Sequence, residues 1–138
     1  MKEASLERLA ARVREDPDEA VRGFIRQQAR GLARRTTGQV LSRLSTAIDR
    51  GGAAHPEALK WGLERLRQGD LRVQLSQVRA PTLVIAGQDD RITPPGASRA
   101  LAAALPKGSF RQLRGAGHVP FLSNREQFLA ALDGFLRG

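Results

Sequence analysis

Two short stretches of the sequence hold side chains that could cooperate in proton transfer, GQDDRITP at residues 87–94 and GAGHVP at residues 115–120. A carboxylate that accepts the N–H of an imidazole fixes the ring's tautomer and stabilises the imidazolium, which is the orienter-and-base half of a nucleophilic triad. His118 is placed for such work. Gly115, Ala116 and Gly117 leave the backbone bare before it, and Pro120 prevents a helix or strand from running through it, so the ring is offered on a loop. Asp90 is the candidate acid. The other histidine, His55, stands at a helix start and reads as structural.

These groups need elements to position them. Residues 82–85 are an apolar run between Pro81 and Gly87, the pattern of a strand buried on both faces. Residues 97–105 read as a helix and 109–113 alternate as a second strand, while Ser123 and Glu126 make a capping-box pattern that predicts the start of a terminal helix. Strand, helix, strand, helix argues for a parallel sheet covered by helices. Function in such sheets collects beyond the carboxyl ends of the strands, where both stretches fall. Adjacent strands, spaced by about 4.8 Å, would let the two loops bring Asp90 and His118 within hydrogen-bonding reach. Two strands alone make a poor parallel sheet, because each leaves an exposed edge.

The first half reads as three amphipathic helices. The first has Asp16 as N-cap, Pro17 at the first helical position and Glu19 completing a capping box. Val21, Phe24, Ile25, Gln28 and Leu32 then recur on one largely apolar face. The second helix carries Val40, Leu41, Leu44 and Ile48 and is expected to stop at Gly51 and Gly52. The third starts near Pro56 and aligns Leu59, Leu63 and Leu66. Arg22, Arg26, Arg30 and Arg34 form a ridge along the first, with no acid between Glu19 and Asp49.

Composition bounds the function classes. The chain has 138 residues, one domain's worth or part of a larger one, and no cysteine for disulfides or thiolate metal sites. Its opening carries acids and lacks a signal-peptide core, and no apolar run approaches a membrane span, so a soluble, cytoplasmic chain is expected. The net charge of +9 invites a nucleic-acid reading. Against it, tyrosine is absent and aromatic residues are only 4% of the chain, which leaves no evident stacking platform.

PTLVIAGQDDRITP followed by GAGHVPF resembles the carboxyl-terminal part of the α/β-hydrolase fold, where an acid follows one strand and a histidine the next. WGLERLRQGDLRVQLSQVRAPTL with GHVPF is similar to the pimeloyl-acyl carrier protein methyl ester esterases of biotin synthesis. The resemblance implies a helical lid over 1–70, a strand-helix-strand-helix part of the core over 71–138, and no nucleophile-bearing N-terminal half. It assigns the acid to Asp90, four positions before Pro94, and the base to His118, followed by a small residue, proline and phenylalanine. Asp89 is then a solvated or turn-capping carboxylate.

No G-x-S-x-G nucleophile elbow occurs. The nearest string, GASRA at 96–100, puts Ser98 in a surface helix after the Asp90 loop. The lid of the resembling family contacts the acyl chain near a phenylalanine and a glutamine, which Phe24 and Gln28 match; core packing is the alternative for both. The arginine ridge, Arg22, Arg26, Arg30 and Arg34, would dock an acidic acyl carrier protein or simply be a solvated face. The implied reaction is methyl ester hydrolysis on a carrier-bound pimeloyl chain, without metal or organic cofactor and with no nucleic-acid or membrane partner. A separate N-terminal half would supply the serine. A general carboxylesterase or lactonase and an inactive binding remnant are the other readings.

Overall fold

The computed structural model describes residues 3–29, 34–52 and 55–138, the side chains at 34 and 35 excepted. Helix α1, Glu3–Glu15, was not among the elements expected from the sequence. Its cause is nonetheless written there: Leu6, Leu9 and Val13 recur every three to four residues and are the buried side chains of the helix. Among the described residues four α-helices therefore precede the sheet, the others being α2, Pro17–Gln28, α3, Arg34–Gly51, and α4, Pro56–Gln68.

Asp16 caps α2 by accepting the Glu19 amide at 2.9 Å, with Pro17 following it. The reciprocal half of the capping box is replaced by an ion pair, because the Glu19 carboxylate binds Arg26. Leu9, Val13 and Ala20 form a small core between α1 and α2, with Phe24, Leu59 and Leu63 packed against it. Leu32 and Arg30 lie outside the described residues. Leu66, expected on the inner face of α4, is 65% exposed.

A 3₁₀ turn at Arg72–Gln77 leads to strand β1, Thr82–Gly87. Helix α5, Pro95–Ala104, connects it to β2, Gly108–Leu113, and the strands pair in parallel from Thr82 opposite Gly108 to Gly87 opposite Leu113. Both α5 and the last helix, α7, Arg125–Arg137, pack on this sheet. The apolar run at 82–85 is half-buried, not buried on both faces as expected. Among the described residues β1 has a strand neighbour on one side only, so its other edge and part of its surface stay open.

The capping box expected at Ser123 does not form. Pro120 starts a one-turn helix, α6, Pro120–Ser123, and at its end the Ser123 hydroxyl turns back to the Val119 carbonyl at 3.2 Å. Asn124 takes the cap position of α7 instead, without a side-chain capping bond.

The helical part and the sheet part meet beside the histidine loop. Val119, immediately after His118, packs with Ala29 and Val40, and Leu41, Leu44 and Leu122 close around them. Among the described residues, no helix is long and apolar enough to cross a membrane.

Candidate functional site

The parallel pairing delivers both loops to one sheet edge, as the carboxyl ends of β1 and β2 are in register. Main-chain bonds then join the loops. The Gln88 amide donates to the Leu113 carbonyl at 2.9 Å, and the Asp89 amide to the Ala116 carbonyl at 2.8 Å. Gly87 makes the approach feasible: a Cβ there would sit 2.2 Å from the Gly117 oxygen and 2.3 Å from that of Ala116. Gly115 turns the chain in the left-handed region, φ +63°. Ala116 is wholly buried at this seam.

His118 Nδ1 stands 3.0 Å from Asp90 Oδ2. The other oxygen, Oδ1, accepts the amides of Ile92 at 2.8 Å and Thr93 at 2.9 Å. The Asp90 side chain is 7% exposed and that of His118 27%. An ionised carboxylate can only accept, so Nδ1 carries the proton of this bond. In the neutral ring Nε2 then holds the lone pair, available to take a proton from a group presented to it. Asp90 is thus held on both oxygens, and the ring it orients keeps one nitrogen for chemistry.

His118 lines a pocket of about 270 Å³ together with Leu6, Phe24, Leu66, Ile92 and Thr93. Three of these come from the helical half, so the pocket lies where the two parts face each other. Phe24 lines this pocket and also packs against Leu9, Val13 and Ala20 in the helical core. Gln28 ends α2 half-buried and is not among the described residues lining this pocket. Leu6, Leu66, Ile92 and Thr93 escape sequence reasoning as pocket residues. Leu6 is legible as part of the apolar face of α1, whereas Leu66 has the spacing of a core residue in line with Leu59 and Leu63.

The remaining candidates sit away from the pair. Asp89 is exposed and contributes its amide to the seam, not its carboxylate. His55 occupies the N-cap position of α4 without a side-chain capping bond. Ser98 lies within α5, which follows the Asp90 loop. On the arginine ridge, Arg22 pairs with Asp49 at 2.9 Å and Arg26 with Glu19, the two acids that bracket the ridge in sequence. Arg34 opens α3, but its side chain, like Arg30, lies outside the described residues. Among the described residues, no group of three or more His, Asp or Glu side chains could hold a metal ion.

The sequence matches, over residues 7–125, the family described as alpha/beta hydrolase fold. A pimeloyl-[acyl-carrier protein] methyl ester esterase from Nitrosomonas europaea is 41% identical over 95 residues, 69% of this chain and 38% of that protein. An esterase of the same name from Aromatoleum aromaticum is 37% identical over 123 residues, 89% of this chain and 48% of that protein. The chain therefore spans half or less of the length of these relatives. An esterase structure from Exiguobacterium antarcticum superposes with a TM-score of 0.78 at 20% identity, covering all of this chain and 49% of that one, a likeness in fold.

Proposed function

The chain belongs to the α/β-hydrolase fold family, and from that premise we propose that it supplies the acid and base of a serine carboxylesterase acting on the methyl ester of a pimeloyl chain carried by acyl carrier protein. The bond between His118 Nδ1 and Asp90 Oδ2 carries the reading. His118 Nε2 takes the proton of a serine hydroxyl as that oxygen attacks the ester carbonyl, and returns it to the departing methanol. The same nitrogen then activates water to release the acid, while Asp90 stabilises the imidazolium in both steps. No cofactor or metal enters this scheme.

The serine is assigned to a nucleophile-bearing half of the same fold, because no G-x-S-x-G string occurs in the sequence. The open edge of β1 suits a further parallel strand from that half. The names of the two relatives support this choice of substrate. Phe24 and Gln28 are assigned to the acyl chain, Phe24 through the pocket it shares with His118. Arg22, Arg26, Arg30 and Arg34 are assigned to the carrier protein. Exposed ion pairs such as Arg22–Asp49 contribute about 0–1 kcal/mol, so acids on a docking partner can displace them. The cysteine-free sequence suits a cytoplasmic setting.

The test is to rejoin the chain to the nucleophile half of the Aromatoleum aromaticum esterase and measure methanol release from methyl pimeloyl-acyl carrier protein. Turnover that disappears with His118→Ala supports the reading. Turnover confined to short free esters or lactones makes the enzyme a general carboxylesterase or lactonase. Binding of the carrier without turnover makes the chain a binding module.

A further inference from the structure

Strand β1 has one unpaired edge among the described residues, and the hydrogen bonds on its paired side fix which groups that edge presents. The Thr82 amide donates to the Lys107 carbonyl at 3.0 Å and the Gln88 amide to the Leu113 carbonyl at 2.9 Å. In a parallel ladder each residue sends its N–H and C=O to one side, and the side alternates along the strand. Residues 82, 84, 86 and 88 therefore face β2, while Leu83, Ile85 and Gly87 turn their main-chain groups to the open edge.

The two strands differ in charge. β2 carries Arg111 and is flanked by Lys107 and Arg114, three exposed cations with no acid in residues 107–114, so two copies meeting along β2 repel. β1 is uncharged from Thr82 to Gly87 and contains no proline. Its flanks are opposite in sign. Arg79 precedes it and Asp89 follows it, both exposed and neither with an ion-pair partner among the described residues.

We propose that β1 is a self-pairing edge: two copies of this chain associate through antiparallel β1 strands about a two-fold axis between their Val84 residues, giving one sheet in the order β2, β1, β1, β2. The register follows from the groups presented. With Val84 opposite Val84, Leu83 of each copy exchanges both main-chain bonds with Ile85 of the other, and the Gly87 amide donates to the Pro81 carbonyl. Pro81 has no N–H to return, and the Gly87 carbonyl that would receive it already accepts the Asp90 amide at 3.3 Å. The same register counts Arg79 opposite Asp89 at both ends. Sliding one strand by two residues sets Arg79 against Gly87 or Arg91 instead, and the attraction is lost. A strand from a nucleophile-bearing half would take this same edge, so it and a second copy exclude each other. The self-pair does not rest on the esterase reading.

The test is sedimentation equilibrium of the 138-residue chain over a range of concentrations, with amide exchange followed by NMR. A monomer–dimer equilibrium is expected, in which the Leu83 and Ile85 amides are protected in proportion to dimer and those of Thr82, Val84 and Ala86 at every concentration. Arg79→Asp or Asp89→Arg should raise the dissociation constant roughly tenfold, since each makes two attractive pairs repulsive, and the two together should restore it. Leu83→Pro should be monomeric with the amides facing β2 still protected. A chain that stays monomeric at millimolar concentration would overturn the proposal. So would association that leaves the Leu83 and Ile85 amides exchanging freely, a mass that climbs past the dimer, or single charge variants that associate as the wild type does. The wild-type exchange pattern decides even where Leu83→Pro fails to fold.

Discussion

Asp90 and His118 face each other at 3.0 Å with the second Asp90 oxygen tied to two backbone amides, so the carboxylate cannot swing to follow a displaced ring. Asp90→Asn keeps the shape but removes the acceptor that selects the Nδ1–H tautomer. In the rejoined enzyme it should lower kcat by about 10³- to 10⁴-fold, and His118→Ala by at least as much. Steady-state kinetics on the carrier-linked ester checks both, and a loss below tenfold for either would remove that residue from the mechanism.

Gly87→Ala places a methyl group against two backbone carbonyls that belong to the histidine loop. One strand end must move, at a cost of about 1–3 kcal/mol. The displacement should also break the Asp90–His118 bond, which a downfield Nδ1–H proton resonance reports. Denaturant melts unchanged from wild type, with the resonance retained, would show that the seam does not depend on this glycine.

The α2 cap offers a separate measurement in the helical half. Asp16→Ala removes the acceptor of the Glu19 amide and should lower stability by about 1 kcal/mol, whereas Asp16→Asn or Asp16→Ser should recover most of it. Equal midpoints for the three variants in urea would contradict the capping role.

Asp70, after α4, has its carboxyl pulled down to about 2 by bonds from the Arg72 guanidinium and backbone amide. A folded value below the ordinary 3.8 means that ionised Asp70 favours the folded state above that value, and that the contribution is lost as pH falls through about 2. Arg72→Ala should return the Asp70 midpoint toward 3.8, as read by NMR titration of its side-chain carboxyl. The group is exposed, so the change should appear in the titration and not as a large shift in melting temperature.

How far the sequence could be read depended on whether neighbours in sequence or neighbours in space decide the outcome. Asp16, Pro17, the 82–85 run and the loop around His118 act through adjacent residues, and their places follow from local rules. The pairing of Arg22 with Asp49 joins residues 27 apart on successive helices, so a ridge that looks uncompensated along the chain is partly neutralised in space. Ser123 shows the opposite failure: a correct local pattern gives way because Pro120, three residues earlier, starts its own turn. Leu66 has core spacing but ends at a pocket mouth, which periodicity cannot distinguish from an interior.

The amide of Asp89 and the carbonyl of Ala116 splice the acid loop to the histidine loop through main-chain atoms, so the spacing of the pair is counted in residues more than it is shaped by side chains. Exchanging the exposed side chains of Gln88 or Asp89 leaves that count intact. Adding or deleting a single residue in 88–89 or 114–117 does not, because every donor beyond the change faces the wrong acceptor. Sequence drift at Asp89 is therefore tolerated by substitution and forbidden by length, so constancy of loop length, beside the glycine at 87, is the mark this seam leaves on descendants that keep the chemistry.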